Sequence, residues 1–169
     1  MLIREARSGD IENIARLYVT NWKKTYGDLL PADYLEGLDI PHGMEKWSRF
    51  MERPGHHVFV AYDDSRFLGF GACSPEPDIE SCMYLDSLHV SAEAQGKGVG
   101  TKLIRTIADH SIDTGCSKMS ICIVRGNERA RDLYCKLGAV HYSYFIDDFG
   151  GALSRSEKLV WTDLELFQK

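Results

Sequence analysis

Leu88-His89-Val90-Ser91-Ala92-Glu93-Ala94-Gln95-Gly96-Lys97-Gly98-Val99-Gly100 is the stretch on which the reading of this chain turns. It begins in a run of β-formers and ends where a helical stripe opens. That stripe carries Val99, Leu103, Ile104, Ile107, Ala108 and Ile112 on one face, with Gly115 as its stop. Gly96, Gly98 and Gly100 remove the Cβ atoms that would keep a ligand away from the backbone amides. The helix start adds unpaired N–H groups and a partial positive charge, so the turn suits a phosphate or pyrophosphate. The Walker spacing GxxxxGK[ST] is absent. The GxGxxG pattern fails too, because Gly96 and Gly98 would need a third glycine where Thr101 stands. Glycine spacing alone also fits a plain tight strand-to-helix turn.

Upstream, Leu2–Glu5 reads as a first strand. Ser8 offers a helix cap, and Asp10 and Glu12 sit in the first turn, where the dipole favours carboxylates. Ile11, Ile14, Tyr18 and Trp22 recur at helical spacing to about Tyr26. Two shorter helices follow near Ala32–Gly37 and Met44–Met51, separated by Pro41 and Gly43. The period then changes. His57–Tyr62 and Phe67–Cys73 read as strands across an Asp63-Asp64-Ser65-Arg66 turn, Ser74–Ile79 as a loop, and Cys82–Val90 as a third strand. Downstream, Lys118–Val124 reads as a strand and Asn127–Leu137 as a helix stopped by Gly138. Ala139–Ile146 and Lys158–Trp161 close the chain around a Gly-rich loop, Asp148–Ala152. The order is that of one α/β domain over residues 1–169, with a largely antiparallel run followed by a βαβ crossover.

The bulk composition narrows the function classes. A chain of 169 residues builds a full core without a metal or disulfide. Its net charge of −5 argues against nucleic acid or an anionic membrane as partner. Five cysteines with no CxxC pair read as reduced thiols of a cytoplasmic protein. The six histidines form no metal-ligand pattern, so no metal is expected. Met1-Leu2-Ile3-Arg4-Glu5 is charged too early for a signal peptide, and no run approaches the ~20 apolar residues of a membrane span.

Gln95–Gly100 fits Q/R-x-x-G-x-G/A, and Asn127–Gly138, NERARDLYCKLG, fits N-x-x-A-x-x-x-Y-x-x-x-G. Two signatures in this order make the chain resemble the GNAT superfamily of acetyl-CoA-dependent N-acetyltransferases, and the element order extends the resemblance from Leu2 to Trp161. Asn21-Trp22, Tyr26-Gly27 and Leu30-Pro31 look like the corresponding segment of many bacterial small-molecule members. The resemblance implies a mixed, mostly antiparallel sheet flanked by helices, with the fourth and fifth strands splayed. It also implies acetyl-CoA as cosubstrate, held by the amides of Gln95, Gly96, Lys97, Gly98, Val99, Gly100 and Thr101, with Lys97 as a counter-charge. The main chain of Leu88, His89 and Val90 would run beside the pantetheine arm, and Asn127 would bond to it or brace the crossing chain. Homodimers are common in such a fold, which leaves a homodimer open; no interface is legible.

Acetyl transfer to an amine needs a neutral amine, a polarised carbonyl and a proton for the departing thiolate. The resemblance makes Tyr134 the general acid, although Ala130, Leu133, Tyr134 and Leu137 also form an ordinary core stripe. The amide of Leu88 would be the oxyanion donor. Tyr84 stands where some members carry a glutamate, and Asp86, two residues on, shares its face unless a bulge intervenes. Asp86, Glu80 or water is then the base, and His89 alternates to the opposite face. Trp22, Tyr26 and Tyr84 are expected to line the acceptor pocket. Glu76, Asp78, Asp147 and Asp148 either hold a second cationic group, as in a polyamine, or are plain loop acids. The acceptor is expected to be a small-molecule amine, with a peptide N-terminus or lysine as the alternative. A non-catalytic CoA sensor is the third reading, disfavoured by the retained Tyr134.

Overall fold

In the computed structural model, which describes residues 1–169, the β-former runs become seven strands. They are β1 (Leu2–Glu5), β2 (His57–Asp63), β3 (Arg66–Pro75), β4 (Cys82–Val90), β5 (Lys118–Val124), β6 (Val140–Phe149) and β7 (Ala152–Trp161). The helices are α1 (Ile11–Tyr26), α2 (Ala32–Glu36), α3 (Ile40–Glu52), α4 (Val99–Asp113) and α5 (Glu128–Lys136). The strands form one sheet in the order β1-β2-β3-β4-β5-β7-β6, antiparallel throughout except for β4 and β5. No helix is long and apolar enough to cross a membrane.

The sheet is covered on both faces. On one, α4 brings the fully buried Leu103, Ile104 and Ile107 against Leu85, Met119 and Leu159. Each such side chain contributes roughly 1.5–3 kcal/mol relative to exposure. Gly71 on β3 lets α4 come close, since a Cβ there would lie 2.7 Å from Ile107 Cδ1. On the other face, Ile14 and Tyr18 of α1 and Trp47 of α3 pack on Val58, Val60 and Phe70.

Two departures from the expected element bounds matter for the site. The Gly-rich loop expected over Asp148–Ala152 contracts to Gly150-Gly151, both at positive φ, because β6 and β7 run as ten-residue partners up to Phe149 and Ala152. In addition, β3 continues to Pro75, so Glu76 leaves the sheet edge buried rather than lying in a solvated loop. Smaller shifts have local causes. Helix α3 starts at Ile40 because Asp39 caps it, accepting from the His42 amide, and Pro41 fits the first turn. Ser8 donates no cap; it opens a short 3₁₀ turn, Ser8–Asp10, ahead of α1.

Asp10, expected only as a first-turn acid, proves to be a buried hub. Arg4 donates to both its oxygens at 2.8 and 3.1 Å, the Arg7 amide at 2.7 Å and the Tyr62 hydroxyl at 2.7 Å. Burial alone would push the carboxyl up, but these four donors outweigh it and hold the pKa at about 2. A depressed carboxyl stabilises the fold above its unfolded pKa, and that contribution is lost as pH falls through the folded value. Asp10→Asn is therefore expected to cost about 2 kcal/mol in urea unfolding at pH 7 and almost nothing near pH 2. An equal loss at both pH values would mean that shape, not charge, is what Asp10 supplies.

Candidate active site

β4 and β5 pair only from Cys82↔Lys118 to Leu85↔Ile121; beyond that the parallel ladder stops and the strands part. A cleft of about 1010 Å³ runs through the gap. The phosphate-type loop and α5 border one end of it, and an aromatic cluster from α1, α2 and β6 borders the other.

The parting starts at a bulge. Ala72 pairs with Ser87 but Cys73 pairs with Leu85, so Asp86 is the extra residue. Its effect on side-chain direction can be followed along the strand. Met83 and Leu85 reach the α4-side core, and after the bulge Leu88 and Val90 do so instead. Tyr84 and Asp86 therefore keep the shared face expected of them, and Ser87 joins them, donating to Asp86 Oδ1 at 2.9 Å. His89 contradicts expectation: it stands on the same face as Asp86, not the opposite one. Its ring stacks on Phe70 at 5.2 Å and meets Tyr18 edge-on at 5.7 Å. Burial, with Lys46 nearby, pushes its pKa down to about 4, so it is neutral at pH 7; it is half-buried, lining the cleft while its ring rests on Phe70.

At the loop end, Gly96 and Gly98 have φ of +75° and +80°, and a Cβ at either would meet nothing within 4 Å. These left-handed residues turn the chain into α4, and the space above them is open, as a cradle for a pyrophosphate requires. Gln95, Gly96, Gly98, Val99, Gly100 and Thr101 line the cleft. Lys97 does not; it points to a separate small cavity beside Asp63, Arg66 and Glu93. The cleft is lined instead by Lys24 of α1, Lys46 of α3, and Arg129 and Lys136 of α5, the last two on the helix that borders the loop end. The residue pattern did not single out Arg129 and Lys136, though their seven-residue spacing puts both on one helix face. The Val90 carbonyl accepts from Asn21 Nδ2 at 3.2 Å and Gln95 Nε2 at 3.3 Å, so both its lone pairs are in use. Strand-like pairing with a pantetheine arm is thereby left to Leu88 and the Val90 amide.

Tyr134 lines the cleft from α5 while its ring packs edge-on against Trp161 at 5.8 Å. Core packing and cleft exposure are thus both true of it, one for the ring and one for the hydroxyl. Burial raises the phenol well above its ordinary value, which keeps it protonated. Asn127 at the start of α5 donates to the Tyr26 hydroxyl at 3.3 Å, tying α5 to the end of α1. Trp22 lies 4.4 Å from Tyr26 and 6.1 Å from Phe149, and with Tyr34 these rings wall the far end. Tyr84 faces the same space.

Of the four acids expected near the acceptor, only Asp147 faces the cleft. Glu76 is fully engaged, accepting from Ser120 Oγ at 2.5 Å, Lys158 Nζ at 3.0 Å and the Asp78 amide at 3.2 Å. Asp78 lies 3.8 Å from Lys158, and Asp148 accepts from the Gly151 amide in the hairpin turn. Glu80 is exposed in the turn before β4 and lies off the cleft. No cluster of His, Cys, Asp and Glu fit for a metal occurs.

Comparison with known proteins gives a consistent outcome. Residues 12–139 match the model of the acetyltransferase (GNAT) family. Thialysine N-ε-acetyltransferase of Bos taurus is 31% identical over 150 residues, covering 82% of this chain and 84% of that protein. The N-acetyltransferase YuaI of Bacillus subtilis is 30% identical over 130 residues, covering 74% and 72%. Among solved structures, yncA of Salmonella typhimurium with its cofactor acetyl-CoA superposes with a TM-score of 0.74. It is 20% identical and covers 96% of this chain and 93% of its own.

Proposed function

Because the chain belongs to the GNAT family of acetyltransferases and is an acetyl-transferring enzyme, we propose that it acetylates the primary amine of a small molecule from acetyl-CoA. The observation that carries the acceptor class is the far wall of the cleft. Trp22, Tyr26, Tyr34 and Phe149 line it with aromatic rings, a wall that suits a small acceptor better than an extended peptide. Two carboxylates face that space without a cation paired to them: Asp86 on β4 and Asp147 on β6. An acceptor with a second cationic group, as in a polyamine, fits this pair. Similarity to an enzyme named for a small amino acid's ε-amine supports the same class.

Acetyl-CoA, when bound, supplies the activated acetyl group. The open amides from Gln95 to Thr101 would hold its pyrophosphate, with Arg129 and Lys136 as counter-charges. Asp86 takes the ammonium proton, directly or through one water, leaving the amine nucleophilic. The amide of Leu88 donates to the carbonyl oxygen as negative charge develops there. Tyr134, kept protonated by burial, gives its proton to the departing sulfur. As the new carbon–nitrogen bond forms and the carbon–sulfur bond breaks, the nitrogen sheds a second proton, which through water replaces the one Tyr134 gives to sulfur. The proton held by Asp86 leaves to solvent, so one proton is released per turnover and the site is restored.

Thiol release measured across diamines, matched monoamines and peptides tests the acceptor class. Diamines are expected to be turned over best, and turnover of peptides alone would overturn it. The same panel tests the base. In Asp86→Asn, kcat is expected to fall roughly tenfold, less than the usual 10²-fold for a positioned base because water substitutes in part. The loss should be greater for the more basic of two amines, since that one depends more on deprotonation. Wild-type rates with both amines would assign deprotonation to water.

A further inference from the structure

Helix α5 carries Tyr134 and packs Ala130, Leu133 and Cys135, partly buried, against the core. Of its nine residues only Tyr134 is buried, and Glu128, Arg129, Arg131, Asp132 and Lys136 are charged. Besides the bond from Trp161 Nε1 to the Leu137 carbonyl at the helix end, 3.2 Å, strand β7 fastens it at two points. One is the contact of the Tyr134 ring with Trp161. The other is a fork in which Arg131 Nε donates to Glu157 Oε1 at 2.7 Å and Nη2 to Oε2 at 3.3 Å. The Glu157 side chain is only 10% exposed, and His141 Nδ1 sits 2.6 Å from Oε2. Glu157 lies between Ser156 and Lys158 on β7, so by strand parity it points away from the cleft-lining Ser156. Neither Glu157 nor Arg131 lines the cleft, and the acetyl-transfer steps use neither.

A two-point guanidinium–carboxylate fork fixes direction as well as distance. Arg131 is one helical turn before Tyr134, so whatever fixes Arg131 limits rotation of the helix segment that aims the phenol. Without the fork, α5 would keep its apolar packing and the bonds at its two ends, from Asn127 to Tyr26 and from Trp161 to the Leu137 carbonyl, none of which fixes the direction of its Arg131 side. We propose that Glu157, acting through Arg131, is a positioning residue that sets the angle at which the Tyr134 hydroxyl enters the cleft. This rests on Tyr134 being the general acid.

The test is a double-variant cycle read by steady-state kinetics. Glu157→Gln keeps the size but removes the charge and leaves one acceptor oxygen, so one arm of the fork is lost. It is expected to lower kcat roughly tenfold with the acceptor KM unchanged, a displacement of a fraction of an ångström being enough for that. In a Tyr134→Phe background the same substitution should cost nothing further, because no proton donor remains to be misaimed. Arg131→Gln removes the pair from its more exposed side and should repeat both results, which covers the case in which Glu157→Gln folds poorly. Unchanged kcat in both single variants would overturn the proposal, as would losses that multiply in the double variants, since a general structural defect behaves that way. Full activity in Tyr134→Phe alone would remove the acid assignment and the latch with it. An inactive Tyr134→Phe with fully active Glu157→Gln and Arg131→Gln would leave the acid in place and sink only the latch.

Discussion

Tyr134→Phe is expected to bind acetyl-CoA as tightly as the unaltered protein and to turn over about 10²-fold more slowly or worse, the usual span for loss of a general acid. The substitution deletes one oxygen and leaves the ring on Trp161, so the packing that holds α5 survives. The hydroxyl has no hydrogen-bond partner within the protein and is not a sealed buried atom, so its removal orphans nothing. Stability should therefore change little, which separates a chemical role from a structural one. Thermal unfolding with and without acetyl-CoA, together with kcat, decides the matter. A folded variant with full kcat would return Tyr134 to the core stripe and leave the leaving group to be protonated by water.

Gly98→Asp is expected to abolish the rise in melting temperature that acetyl-CoA produces. At a hundredfold excess over Kd that rise corresponds to about 2.7 kcal/mol of stabilisation. The substitution has two separable effects. At φ of +80° any side chain is strained, costing about 1–2 kcal/mol whether or not ligand is present. The added carboxylate also occupies the open space over the loop, at the positive end of α4, with a charge of the same sign as a pyrophosphate. Gly98→Ala isolates the first effect: it should lower the melting temperature of the free protein and retain most of the ligand-induced rise. Retention of that rise by Gly98→Asp would move the anion site elsewhere on the cleft.

The order of elements, the βαβ crossover and the loop opening α4 were all legible in the residue pattern. Each depends on neighbours within a turn or a strand: the stripe from Val99 to Ile112, alternate glycines, a capping glycine at Gly115. The two signatures likewise placed Tyr134, Asn127 and most of Gln95–Thr101 on one cleft. Strand extent was less legible. Ser154-Arg155-Ser156-Glu157 carries no β-rich run, and only pairing with β6 makes it strand.

What the sequence by itself determined was which segments are helices and strands, and that one strand-to-helix turn is built on alternate glycines. Those follow from propensity, period and capping, which act over a few residues. Tertiary structure decided which acids are free and which way β4 faces. Glu76 and Lys158 are 82 positions apart, so only the sheet reveals that this acid is already neutralised and that Asp147 is not. The bulge at Asp86 exists because Ala72 and Cys73 pair with Ser87 and Leu85, and one unpaired residue reverses every side chain beyond it. That reversal put His89 on the cleft side beside Phe70. Parity is a local rule, but the residue at which it breaks is chosen by the neighbouring strand.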